Sequence, residues 1–133
     1  MDYQVLSIKI NSLSEKEKVQ LMEVEPSYFR FIKNPSDEVI WKAVEKQPSN
    51  LSNIDNQSYE LCIMAIKIDP LVIRYCNIQT EYMKECAIEQ NWLSIAFIEN
   101  PSMDNIKRAI ELSDGQAKEI IPTYILDEMI IEE

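Results

Sequence analysis

The stretch NPSDEVIWKAVEKQP, residues 34–48, carries a hydroxyl at Ser36, a small side chain at Ala43 and a ring at Pro48. The same residue types return 22 residues later, at Ser58, Ala65 and Pro70. Stepping by 22 from Ser14 gives Ser14, Ser36, Ser58, Thr80 and Ser102, hydroxyl residues throughout. Such residues are favoured at helix N-caps, where the side-chain oxygen accepts an orphan backbone N–H. Seven positions on come Leu21, Ala43, Ala65, Ala87 and Ala109, taking four of the chain's six alanines. The next column, Met22, Val44, Ile66, Ile88 and Ile110, is apolar in every repeat.

The prolines obey the same period. Pro26, Pro48 and Pro70 share the thirteenth position, where later repeats place Trp92 and Asp114. Pro35 and Pro101 share the last position, and Pro122 stands one residue short of it. Proline inside a helix costs about 3 kcal/mol, so rings confined to two points per repeat mark where helices end. Asp114-Gly115 makes the same bend by turn chemistry.

Between those points the first half of each repeat is apolar at positions four, five, eight and nine, as in Val39, Ile40, Ala43 and Val44. That is one stripe of an amphipathic helix. The second half repeats an i, i+3 pair: Phe29 and Ile32, Leu51 and Ile54, Ile73 and Cys76, Ile95 and Ile98, Ala117 and Ile120. Each repeat therefore reads as a helix of about ten residues, a turn, and a helix of six or seven. The alanine column lets neighbouring backbones approach to about 8 Å. The L-x-L strand and Asn ladder of a leucine-rich repeat are missing. The expected fold is all-α: a short α-solenoid of five 22-residue helical hairpins over 14–123, within one domain spanning 1–133.

Residues 1–13 and 124–133 are then terminal caps. The tail YILDEMIIEE reads as a helix with Ile125, Leu126, Met129 and Ile130 inward. The head alternates like a strand at Leu6, Ile8 and Ile10, yet Ile10 also matches the apolar nineteenth column. A truncated second helix is the favoured reading.

The 133 residues carry 13 basic and 23 acidic side chains, a net charge of −10. That sign disfavours nucleic acid, whose phosphates need a basic field. Without any His, the commonest general base and metal ligand is missing; a single Gly leaves no glycine-rich phosphate loop. Three cysteines without C-x-x-C spacing fit neither a disulfide framework nor a zinc site, and Cys62 and Cys76 lie in apolar columns. No apolar run is long enough to span a bilayer. The expectation is a cytoplasmic protein with no cofactor, no metal and no catalytic residue.

FIKNPSDEVIWKAVEKQPSNLSNI, residues 31–54, and ENPSMDNIKRAI, residues 99–110, resemble a helical repeat of about 22 residues in uncharacterised bacteriophage and bacterial proteins. Its consensus has the form N-P-S-x-E-V-x-x-x-A-V-x-x-x-P-x-x-I-x-x-I. The resemblance covers 14–123, with Leu21 in the alanine column and Gln57 before Ser58 as departures. It implies an α-helical array, often encoded by a phage, and carries no activity with it.

Two lines of side chains are candidate binding surfaces. Glu23, Glu45, Glu89 and Glu111 share the tenth column, and Glu25 and Asp69 the twelfth, so stacking would align them as an acidic ridge. Acidic residues also gather at helix starts, where they complement the helix dipole. Arg30, Phe31, Arg74, Tyr75, Phe97 and Lys118 form a basic and aromatic strip on the short helices, residue types enriched in binding hot spots. Packing between repeats is the competing account of that strip. A solvated face is the competing account of the ridge.

The sequence thus points to a noncatalytic acidic module that binds a protein with a basic surface. In its narrowest form it is a phage factor occupying the basic groove of a host defence nuclease. The alternatives are a structural array that self-associates as a dimer, and an enzyme built on a carboxylate pair such as Glu23 with Glu25.

Overall fold

Every expected cap forms. In a computed structural model describing residues 2–132, with side chains through Met129, the hydroxyls of Ser14, Ser36, Ser58, Thr80 and Ser102 each accept the backbone N–H three residues on, at 3.1–3.2 Å. The helices they start are all ten residues long: α2 Glu15–Val24, α3 Asp37–Lys46, α4 Tyr59–Ile68, α5 Glu81–Gln90 and α6 Met103–Leu112. The chain is all-α, a helical-repeat fold with no strand among the described residues.

The short second helices are 3₁₀: η1 Pro26–Phe31, η2 Pro48–Asn53, η3 Pro70–Tyr75, η4 Trp92–Phe97 and η5 Gln116–Glu119. Three residues per turn put i and i+3 directly above one another. The apolar pairs at that spacing are therefore a 3₁₀ signature, and Phe29, Ile32, Leu51, Ile54, Ile73, Cys76, Ile95 and Ile98 are all buried. Proline at the first position of η1, η2 and η3 loses no hydrogen bond, because that N–H has no partner within the helix.

The chain divides into two compact units, 1–68 and 69–133. In the first, α2 packs on α3 and α3 on α4, forming one row, while η1 packs on η2 in a second row beneath. The second unit repeats this arrangement, with α5 on α6 and η3 on η4. The alanine column runs along the contact. Ala43, Ala65, Ala87 and Ala109 have no accessible surface, whereas Leu21, on the first long helix, stays half-exposed.

Buried polar side chains in these layers are satisfied by backbone carbonyls. Buried Asn50 donates to the carbonyls of Ala43 at 3.0 Å and Pro26 at 2.9 Å, and buried Ser94 donates to the equivalent Ala87 carbonyl at 3.1 Å. A second device recurs in both units. The Asn11 amide donates to Phe31 O at 2.8 Å and accepts from Lys33 N at 2.9 Å. Gln79 donates to Phe97 O at 3.0 Å and accepts from Glu99 N at 2.8 Å. The backbone partners are equivalent, 66 residues apart, although the two amides occupy different columns. Each side chain thus acts as a spare peptide group pinning the end of a short helix.

Three expectations change. The head is helical, as the favoured reading has it, but it is a full α-helix and not a truncated second helix: α1, Tyr3–Asn11, runs nine residues and is capped by Asp2, whose carboxylate accepts Gln4 N at 2.9 Å. Ile10 is buried as the nineteenth column requires, but Ile8 is 68% exposed, so the alternating pattern there is coincidental. In the fifth repeat Ile120 is 45% exposed and Ile121 is buried instead. The cause is local. Asp114 (φ 52°) and Gly115 (φ 89°) end α6 with Gly115 N bonded to Ile110 O and Asp114 N to Glu111 O, a Schellman closure. η5 is then only four residues, and Ile121 N closes on Ala117 O, an α-type turn that brings Ile121 inward.

In the tail, α7 spans Thr123–Glu132. Ile125, Leu126 and Met129, expected inward, are half-exposed, and Ile130 lies outside the described side chains.

Candidate binding surfaces

The ridge carboxylates stand among basic side chains that stacking brings to them. In the first unit the Lys42 ammonium lies 2.9 Å from Glu23 and 3.3 Å from Glu45, and Lys46 reaches Glu23 at 3.0 Å. In the second, Arg108 grips Glu89 through Nε and Nη2, the latter at 3.1 Å, while its Nη1 meets Glu111 at 3.0 Å. The two clusters are the same joint. Lys42 and Arg108 both sit at position seven, 19 residues after the tenth-column Glu that each engages.

Electrostatics follow from those contacts. Hydrogen bonds from Lys42 and Lys46 hold the Glu23 carboxyl below its ordinary range, and Arg108 does the same to Glu89. Bonding to both glutamates raises the ordinary value of Lys42, and Arg108 is raised likewise. The two ammonium groups beside Glu23 thus favour its charged form. Glu25 is exposed at the end of α2. Asp69 caps η3, its carboxylate accepting Leu71 N at 3.1 Å. Four of the six ridge residues are thereby tied into ion pairs and a fifth into a cap.

Acidic residues at helix starts also link neighbouring helices. Ser36 Oγ donates to Glu15, and Ser102 Oγ to Glu81 at 3.3 Å, with Asn105 Nδ2 donating to the same Glu81 oxygen at 2.9 Å. One hydroxyl caps its own helix and donates backwards to the preceding repeat.

The basic and aromatic strip forms a stacked arrangement within each unit. Arg30 lies 4.8 Å from the Phe31 ring centre and 5.9 Å from that of Tyr3, which stacks on Phe31 at 5.7 Å. Arg74 lies 4.8 Å from the Tyr75 ring and 5.0 Å from that of Phe97. Phe31, Tyr75 and Phe97 are half-buried beneath exposed guanidinium groups. Lys118 belongs elsewhere, at an open groove of about 640 Å³ between α6 and α7, lined also by Lys107, Ile110, Leu126 and Met129.

Sequence reasoning missed Tyr3, Lys42, Lys46 and Arg108. Lys42 and Arg108 share a 19-residue offset from Glu23 and Glu89, but that offset gains meaning only from how neighbouring helices pack; Lys46 lies off it and Tyr3 lies outside the repeats. Among the described residues no helix is long and apolar enough to cross a membrane, and no group of three or more Cys, Asp or Glu could hold a metal ion. Comparison with family models, with curated proteins and with solved structures returns no match for this chain.

Proposed function

We propose that this chain is a noncatalytic protein-binding module whose partner presents a basic surface, met chiefly by the second unit. The distribution of charge carries this reading. Residues 69–133 hold 13 acidic and 5 basic residues, net −8, whereas residues 1–68 hold 10 and 8, net −2. With Glu89, Glu111 and Asp69 engaged internally, the outward negative field of the second unit falls to residues such as Glu85, Glu99 and Asp104. All three are exposed and make no ion pair among the described residues. A field of one sign speeds encounter with an oppositely charged surface and rejects like-charged ones.

The resemblance of residues 31–54 and 99–110 to the repeat of uncharacterised bacteriophage and bacterial proteins supports a narrower form: a phage factor that occupies the basic groove of a host nuclease and keeps nucleic acid out. The test pairs two matched charge reversals, Glu85, Glu99 and Asp104 to Lys against Asp37, Glu38 and Glu60 to Lys. Each is used as bait in bacterial lysate at low and high salt. The expected partner is basic, is lost at high salt, and is lost to the first variant while the second still captures it. A partner held equally by both variants at high salt would contradict the proposal.

A further inference from the structure

We infer that α7 is a displaceable cap: it lifts from the edge of α6 as a local event while the rest of the second unit stays folded. Three independent features carry this.

The first is its missing N-cap. In α2 to α6 the carbonyl that accepts the first i, i+4 bond belongs to Ser14, Ser36, Ser58, Thr80 or Ser102, the residue whose hydroxyl also caps the helix. In α7 the corresponding bond, from Leu126 N, ends on Pro122 O. A proline side chain accepts no hydrogen bond, so the first turn of α7 lacks the cap every other long helix has.

The second is the loss of the small column. Aligning Pro122 with Ser102 puts Met129 where Ala109 stands. Ala109 has no accessible surface, whereas the longer Met129 at the matching place is left half-exposed. The third is the gap itself. The groove of about 640 Å³ runs between α6 and α7, and Leu126 and Met129 on its wall stay half-exposed where their counterparts Ile106 and Ala109 are buried. Lifting α7 bares the side of α6 that carries Ile110, the surface on which a further hairpin of the same kind would stack.

Hydrogen–deuterium exchange on the full chain tests this, comparing amides of residues 124–129 with those of α6. Exchange in α7 is expected to be at least about tenfold faster, since local opening needs less free energy than unfolding the unit. Pro122→Ser restores the hydroxyl and should slow exchange in α7 about fivefold, leaving α5 and α6 unchanged. Pro122→Ala, which removes the ring without supplying an acceptor, should not. Equal protection of α6 and α7 in the parent chain would overturn the inference, as would identical behaviour of the Ser and Ala variants.

Discussion

The Arg74 guanidinium sits 5.0 Å from the ring centre of Phe97, one repeat and one residue further along the chain. It also covers Tyr75 at 4.8 Å, so one cation spans two successive short helices. Such contacts contribute about 0.5–1 kcal/mol at exposed sites. A double-mutant cycle of Arg74→Met and Phe97→Leu, read by urea unfolding, should return a coupling of about that size. Additive single effects would mean that the strip is held by shape alone, leaving Arg74 free for a partner.

The alanine column sets how closely long helices pack. Ala87→Leu inserts three carbons at a site with no accessible surface and should cost about 1–3 kcal/mol. Leu21→Ala, at the half-exposed head of the same column, should cost less than a typical core truncation of about 2–5 kcal/mol. Urea midpoints for the two variants decide whether the column is one packing device or a coincidence of composition.

Asn50 is 2% exposed and donates to two carbonyls from different repeats. Asn50→Leu keeps the branched outline, with bulkier methyls, but leaves Pro26 O without that donor, at a cost of about 1–3 kcal/mol. Ser94→Ala removes a single bond to Ala87 O and should cost less. Thermal unfolding of both variants checks the order.

The ion-paired joints make stability depend on pH with a definite sign. Folding lowers the carboxyl values of Glu23 and Glu89 from 4.5, so their contribution is fully present above that pH and is lost as pH falls through the folded values. Arg108→Gln removes the cause at Glu89. The variant should be less stable than the parent at neutral pH, and the two should converge in acid. A gap in urea midpoints that stays constant below pH 4.5 would contradict this linkage.

The repeat was legible because three residue types serve geometric purposes that leave little choice: a hydroxyl to cap, a methyl to pack, a ring to stop a helix. Ser36, Ala43 and Pro48 each do what the period implies. The type of the second helix was encoded too, in the i, i+3 pairs, but a spacing of three is shared by α and 3₁₀ geometry until lengths are known. Ile120 could not be placed from the period, because the left-handed pair Asp114 and Gly115 changes the phase behind it. The acidic ridge was legible as a column but not as a set of ion pairs. Which cation reaches which glutamate depends on the offset between neighbouring helices, and that offset emerges only when they pack.

The amides of Asn11 and Gln79 have a bearing on how this protein ages. Each works because one end of the group donates and the other accepts, at Phe31 O and Lys33 N or at Phe97 O and Glu99 N. Side-chain amides are among the thermally labile groups of proteins. Slow hydrolysis of Asn11 to Asp would leave Lys33 N its acceptor while setting an anion against Phe31 O. An old sample would then loosen at the head of the chain first, with a change of one dalton as its only covalent trace.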